Sequence, residues 1–460
     1  MGARTVKRLA SPGRRGRAAL GVCASLLCAP GAVPASADWP IYGHDLSNSR
    51  VAVSAGPAPA QVGALRRAWA FSSPSGDFTG TPVVARGVVV AGDYSGVVYA
   101  LDARTGRVRW KTGLGRHVNG SAAIDPRAGR VYVPLATVGA PSLAALSLRD
   151  GTLRWSRVLT RQTGSDAYSS PVYWRGRVYM ETSGPTGDDS TARGTVVALN
   201  ARNGAVRWRT FMVPRGHDGG AVWSTPAIDT ATGRLYVGTG NAYHAPDSRT
   251  TDSIVALDAR TGAIHGHYQA VSGDTFASDN PVGPDADFGA SPNLLRAPDG
   301  RRLVGDGAKD GVYYAVDRRT MRLRWKTALG PGSPTGGFIG STAFDGQRIY
   351  GSDALTGRVA ALGRDGSIRW SSVDGGPLDF SPVAVARGVL YTVNPAGVLT
   401  ARSAATGAIL TRIPLGAPTF GGISAAGRAL YVSIGIGPPP PPAPQEYGPG
   451  SIVALTAASR

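Results

Sequence analysis

Apolar and polar positions along this chain fall into short runs of five or six residues, separated by Gly-rich turns. Almost no window carries a helical period. One phrase recurs: an apolar run, Leu-Asp or a relative, a turn ending in Gly, and a Trp four residues later. It reads VVYALDARTGRVRW ending at Trp110, LAALSLRDGTLRW at Trp155, VVALNARNGAVRW at Trp208, VYYAVDRRTMRLRW at Trp325 and VAALGRDGSIRW at Trp370. Degenerate copies place Gly266 and Thr411 where the Trp should stand. A unit opens with a Ser/Thr-Pro turn (Thr81-Pro82, Ser170-Pro171, Thr225-Pro226, Ser291-Pro292, Ser381-Pro382) and carries four strand signals. Self-similarity at this period predicts an all-β closed array of small sheets, a propeller.

The count of units predicts eight blades. Seven Trp-strand ends follow residue 100, at 110, 155, 208, 266, 325, 370 and 411. The segment from Phe420 to Leu455 supplies three further strands without a final Trp strand, and ALRRAWAF, with Trp69, supplies the missing one near the N-terminus. The last blade is therefore expected to close by pairing the two chain ends, which removes the exposed sheet edge. The PPPPPAP run at 438–444 then reads as a loop within blade eight. Each Trp, a large ring beside a Gly turn, is expected to wedge between neighbouring blades.

Composition narrows the setting. Residues 1–37 have the form of a secretion signal: Arg4, Lys7, Arg8, Arg14, Arg15 and Arg17, then AALGVCASLLCAPGAV, then Ala35-Ser36-Ala37. The apolar stretch is too short and too interrupted for a stable membrane span, so cleavage after Ala37 and an extracellular location are expected, with no transmembrane segment. Both cysteines, Cys23 and Cys28, lie inside this signal, so residues 38–460 can form neither a disulfide nor a thiolate metal site. That stretch reads as one propeller domain. Of the net charge of +19, six basic signal residues leave +13, spread as one or two Arg per repeat on turns and edges. This is the pattern of a solvated rim and argues against nucleic acid, while association with anionic cell-wall polymers stays open.

The repeat breaks its own spacing in three consecutive blades. Intervals between equivalent Trp positions run 41, 45, 53, 58, 59, 45 and 41 from Trp69 onward. The extra residues are GPTGDDST, NAYHAPDSRTTD and SGDTFASDNPVGPDAD. Matching loops of a radial array emerge on one face, so these insertions should gather over one side of the channel and mark the functional site. They are acidic in a basic protein: Asp188, Asp189, Asp252, Asp274, Asp279, Asp285 and Asp287, with Asn241 and Asn280. Clustered carboxylates and amide oxygens suit a hard cation such as Ca²⁺, although single loop Asp residues are commonly turn formers.

These residues resemble a known family. The chain is similar to the quinoprotein alcohol dehydrogenases, propellers that hold pyrroloquinoline quinone (PQQ), and looks most like the polyvinyl alcohol dehydrogenase branch. The likeness starts at DWPIYGHDLSNSR and is densest from AVWSTPAIDTATGRLYVGTGNAYHAP through DSIVALDARTG to GPDADFGASPNLL and GAKDGVYYAVD. It implies that Trp223 stacks under the quinone, that Asn241 is a calcium ligand, that Asp287 is the general base and a further metal ligand, and that Lys309 contacts the quinone carbonyl oxygens. The chemistry needs such groups: an aromatic floor, a Lewis acid, a carboxylate to remove the alcohol proton as hydride leaves, and a cation to offset charge on the quinone. Lys309 is one of only three lysines after the signal.

The chain also departs from the family. The stretch METSGPTGDDSTARG offers no clean match for the acidic calcium ligand: Glu181 lies too early, so Asp188 or Asp189 would substitute. The family's vicinal disulfide is impossible, Gly340 stands where a Trp would sit, and no CxxCH binds haem, so electrons need a separate acceptor. Two functions follow: a secreted PQQ- and Ca²⁺-dependent dehydrogenase of an alcohol or polyol, or a propeller scaffold that kept the fold and lost the cofactor. A zinc hydrolase built on His217, His244, His265 and His267 lacks a glutamate to complete it.

Overall fold

Strands form eight small sheets, each of four antiparallel strands running from an inner strand at the channel to an outer strand at the rim, with Val51–Ala52 added as a parallel fifth strand on the inner edge of the seventh. The computed structural model describes residues 37–184, 190–277, 283–373, 376, 380–436 and 449–457, all within the unit Ala35–Arg460. The expected signal and the PPPPPAP run lie outside the described residues. Blade one comprises Val83–Ala85, Val88–Gly92, Val97–Asp102 and Val108–Gly113. Blades two to seven repeat it at 123–158, 172–211, 227–269, 293–328, 343–373 and 384–414. In blade one the first three strands are almost wholly buried while the outer strand is largely exposed. Blade eight has Ile423–Ala426, Ala429–Ile434 and Ser451–Ala457, and its outer strand is Leu65–Ser72, in register from Leu65↔Ala457 to Ser72↔Ser451. The chain ends close the ring as expected.

The recurring phrase is an interblade joint. Each outer-strand Trp lies on the glycine of the next blade's turn: Trp69 on Gly106, Trp110 on Gly151, Trp155 on Gly204, Trp208 on Gly262, Trp325 on Gly366 and Trp370 on Gly407. A Cβ at these glycines would stand 2.5–2.7 Å from the indole, and their φ values of 69–84° disfavour any side chain. Each indole N–H also donates to a carbonyl of that turn, as from Trp110 to Leu148 at 2.9 Å and from Trp155 to Ala201 at 3.2 Å. The preceding Asp shapes the turn: Asp102 Oδ1 accepts from the backbone N–H of Arg104 and Thr105 and from the Thr105 hydroxyl.

The two degenerate copies now have physical reasons. Where blade four has Gly266, the facing turn of blade five has Met321 in place of glycine, at φ 51°, and its Cγ fills the space against Gly266. The bulky and small partners have exchanged sides of the joint. Thr411 of blade seven faces blade eight, whose third and outer strands come from opposite chain ends, so no turn exists there for a Trp to dock on.

Residues 39–52 fill the channel. Trp39 pairs with Val84, and the carbonyls of Pro40, Leu46, Ser47, Ser49 and Arg50 accept from Ile124, Ile228, Leu294, Phe344 and Val385, which ties the segment to the inner strands of blades one, two and four to seven. Ile41 joins the apolar cluster that also holds Ala123, Val172 and Ile228 of blades two, three and four. Arg50 is fully buried: its guanidinium donates to the carbonyls of Val383, Tyr42 and Ile423 and stacks over Tyr42 at 4.7 Å. The solvated-rim reading of the arginines fails at this residue, because the channel offers it carbonyl acceptors and an aromatic face instead of water.

The exchanged joint yields a test. Gly266→Trp alone should destabilise by overpacking against Met321, and Met321→Gly alone by opening a hole. The double variant should restore the regular joint and be more stable than the sum of the two losses by at least about 1 kcal/mol, read from a double-mutant cycle in urea.

Candidate functional site

Neighbouring strands run antiparallel, so the start of each inner strand and the end of each second strand lie at the same end of the channel. Trp223 and Asp287 come shortly before the inner strands Ala227–Asp229 and Asn293–Arg296; Asn241 and Lys309 come just after the second strands Arg234–Gly238 and Arg302–Gly307. The fold thus converges all four at the seam between blades four and five.

Their contacts are direct. The Asn241 backbone N–H donates to Asp287 Oδ1 at 2.8 Å, and Lys309 Nζ lies 2.9 Å from Asp287 Oδ2. Lys309 Nζ also sits 5.4 Å from the centre of the half-buried Trp223 ring. Two glycines permit the approach: Asp287 occupies the space where a Cβ of Gly240 would be, and the Trp223 ring does the same at Gly289. The Asn241 amide nitrogen donates to the carbonyls of Ala242 and Phe276, which leaves the amide oxygen as its acceptor end.

Three more carboxylates complete the cluster. Asp285 grips Lys309 through both oxygens at 3.0 Å, with its backbone at φ 53°. Asp274 accepts from the backbone N–H of Ala286 and Phe276. Asp252 is fully buried and neither of its oxygens has a hydrogen-bond partner among the described residues. Burial, then Asp287 and Asp274, push the Asp252 carboxyl far above its ordinary range. Burial and Asp287 likewise raise Asp285 against the opposing pull of Lys309. Burial disfavours the Lys309 charge, but Asp287 and Asp285 outweigh it and hold its pKa above that of free lysine.

Sequence reasoning placed Asp252, Asp274 and Asp285 only among the loop acids. One signal was available for Asp252. The residue before the third strand is glycine in blades one, three, five, six, seven and eight (Gly96, Gly194, Gly311, Gly357, Gly397, Gly450), whereas blade four has Asp252 there. The substitute acids Asp188 and Asp189, like Asp279 and Asn280, lie outside the described residues. Glu181 is buried within blade three, where Ser169 donates to its Oε2 at 3.0 Å.

The residues fit the groups that the resemblance implies. A half-buried indole with an ammonium near its face suits a flat conjugated acid. Four carboxylates around one ammonium, one of them buried and unpartnered, are short of positive charge, and their oxygens with the Asn241 amide oxygen are the donor type a hard cation takes. Among the described residues no three acid or histidine side chains already stand together as a metal-binding group.

An eight-bladed, Trp-docked propeller with a carboxylate, amide and lysine site at one seam defines the class. Residues 61–327, more than half of the chain, match the PQQ_2 family, described as outer membrane protein assembly factor BamB, and the chain belongs to this family of PQQ-type repeats. It is 29% identical over 437 residues to a polyvinylalcohol dehydrogenase of Pseudomonas sp., covering 81% of this chain and 66% of that one. It is also 29% identical over 365 residues to a polyvinylalcohol dehydrogenase of Sphingopyxis sp., covering 69% of this chain and 54% of that one. The chain thus spans between half and two thirds of these relatives' length. Among solved structures, the quinohemoprotein alcohol dehydrogenase of Comamonas testosteroni superposes with a TM-score of 0.77 at 21% identity, over 92% of this chain and 81% of that one, which shows the shared fold.

Lys309→Met should cost about 3–5 kcal/mol near neutral pH, because two buried carboxylates lose their cation. A carboxyl with a raised folded pKa stays protonated to higher pH than in the unfolded chain, so the loss should shrink as the pH is lowered and Asp285 takes up its proton. Urea unfolding of parent and variant at pH 5 and pH 8 reads the difference.

Proposed function

We propose that this protein is a PQQ-dependent dehydrogenase that oxidises an alcohol or polyol, secreted through the signal at residues 1–37, with residues 38–460 as one propeller domain and a separate electron acceptor. The observation that carries the reading is the joint placement of Trp223, Asn241, Asp287 and Lys309 at one seam. Trp223 would hold the quinone on its ring, Lys309 would face the quinone oxygens, and Asn241 with Asp287 would hold Ca²⁺. When bound, the quinone accepts the hydride equivalent and the cation polarises its carbonyl.

The chain's own residues do the rest. Asp287 is the base that takes the alcohol proton; each of its oxygens already accepts one contact and keeps a lone pair for the substrate hydroxyl. Lys309 supplies fixed positive charge beside the reacting oxygens, and Asp285 holds the ammonium in place through two contacts. The site is built from residues mostly shielded from solvent, where such charges act strongly. With the channel filled by residues 39–52, we place substrate access at the insertion-bearing end. The polyvinyl alcohol relatives support a secondary alcohol or polyol as substrate class.

Titration with PQQ, with and without Ca²⁺, should quench Trp fluorescence and give calcium-dependent binding that weakens at least tenfold in Asn241→Ala. The loaded protein should reduce an artificial dye with an alcohol present, and Asp287→Ala should abolish this while unfolding at a similar midpoint. Absence of PQQ binding under both conditions would favour the scaffold reading, in keeping with the assembly-factor description of the family.

A further inference from the structure

The resemblance leaves the cation site short of an acidic ligand. The blade-three stretch has no clean match: Glu181 accepts from Ser169 at Oε2 and has Oε1 unpartnered, but it makes no described hydrogen bond to the Asn241–Asp287 pair. The missing carboxylate is present in blade four, at a position the repeat normally gives to glycine. In blades one, five, six and seven that glycine has φ values of 93°, 80°, 63° and 73°. Asp252 takes the same left-handed conformation at φ 46°, with a Cβ that the position disfavours. A strained, fully buried carboxyl with both oxygens unpartnered is costly twice over, in backbone energy and in desolvation.

The surroundings indicate what offsets that cost. The Asp252 backbone N–H donates to the Gly240 carbonyl at 2.9 Å, Asp287 fills the space beside Gly240, and the next residue, Asn241, donates its N–H to Asp287. Asp252 therefore adjoins the two residues already assigned to the cation. The lone ammonium of the cluster is committed elsewhere, since Lys309 contacts both oxygens of Asp285 and one of Asp287. No described cation is left for Asp252.

We propose that Asp252 is a ligand of a hard divalent cation, completing a site with Asp287 and Asn241. The inference rests on the dehydrogenase reading for Asn241 and Asp287, and deepens it by assigning the acidic ligand to blade four instead of blade three. A carboxylate at this position converts a strained buried acid into an ion pair with a doubly charged partner, and two carboxylates with one amide oxygen make a donor set of the hard-cation type.

The experiment uses the mature protein and CaCl₂ alone, without quinone, with binding read by calorimetry and by the shift in thermal midpoint. Asp252→Gly restores the residue that the repeat prefers, so it should fold. Without Ca²⁺ it should be at least as stable as the parent. With Ca²⁺ the parent's midpoint should rise, the Asp252→Gly midpoint should not, and the order of stability should reverse. Asp252→Asn, which keeps the size and removes the charge, should also weaken Ca²⁺ binding at least tenfold, whereas the double variant Asp188→Ala, Asp189→Ala should bind like the parent. Binding by Asp252→Gly within twofold of the parent, loss of binding only in the Asp188/Asp189 variant, or no Ca²⁺ binding by the parent would each overturn the assignment. A parallel PQQ titration separates the two readings: quinone binding by the parent with Ca²⁺ binding retained in Asp252→Gly sinks the cation assignment alone, and no quinone binding by the parent sinks the dehydrogenase reading.

Discussion

The interblade Trp–Gly joint is the contact on which the rest of this molecule depends. A propeller blade contacts only its neighbours, so ring stability is largely a sum of seam energies, and each regular seam here is closed by one indole lying on one glycine. The joint works because a bulky flat ring needs a surface without a Cβ, and because the indole N–H would otherwise lack an acceptor at a partly buried seam. By the usual cost of removing a buried Trp, the joints of Trp110 and Trp155 contribute about 3–5 kcal/mol, and the half-buried ones less. The turn itself presents both the glycine and the acceptor carbonyl, shaped at Gly106 and Gly262 by Asp102 and Asp258.

The seam between blades four and five departs from this rule, and it is the seam that holds the candidate site. Its joint is a Met321–Gly266 exchange, and other contacts hold it together. Arg234 donates to the Arg318 carbonyl at 2.6 Å, and Arg318 pairs with Asp229 at 2.9 Å. At the other end of the same seam Lys309, from blade five, meets Asp285 and Asp287 in the loop between the blades. A site placed between two blades can be adjusted by small shifts of one against the other, and a less regular joint is compatible with that. The channel segment opposes such movement: Arg50 reaches carbonyls on blades seven and eight, while Asn48 donates to the carbonyls of Thr225 and Pro292 at the start of blades four and five.

Charge is distributed with a purpose that composition hides. The chain is strongly basic, yet its candidate site is a buried concentration of carboxylate around one lysine. Scarce lysine and abundant arginine divide the work: most arginines serve the surface, Arg50 the channel and Arg318 the seam, whereas the compact Lys309 ammonium fits between two carboxylates and an indole face. Two of the site's aspartates also sit at positive φ, so the local backbone is strained where the chemistry is expected.

Much of this was legible in the chain itself. The strand period, the Trp–Gly phrase and the missing outer strand of blade eight determined eight blades and their closure, because each records a local rule: alternation for a pleated strand, a positive-φ glycine for a turn, a large ring for a seam. The family frame likewise pointed to Trp223, Asn241, Asp287 and Lys309. The reason for Gly266 and Thr411 was not legible, because each is explained by a residue or a gap in the next blade. The role of residues 39–52 as a channel filler and the burial of Arg50 were also hidden, since no local pattern marks a segment whose backbone pairs with six blades at once. Asp285 as the clamp on Lys309 and Asp252 as an unpartnered buried acid were decided by tertiary structure alone. Burial and partnership are properties of what surrounds a side chain, and here the surroundings come from loops of different blades that meet only when the ring closes.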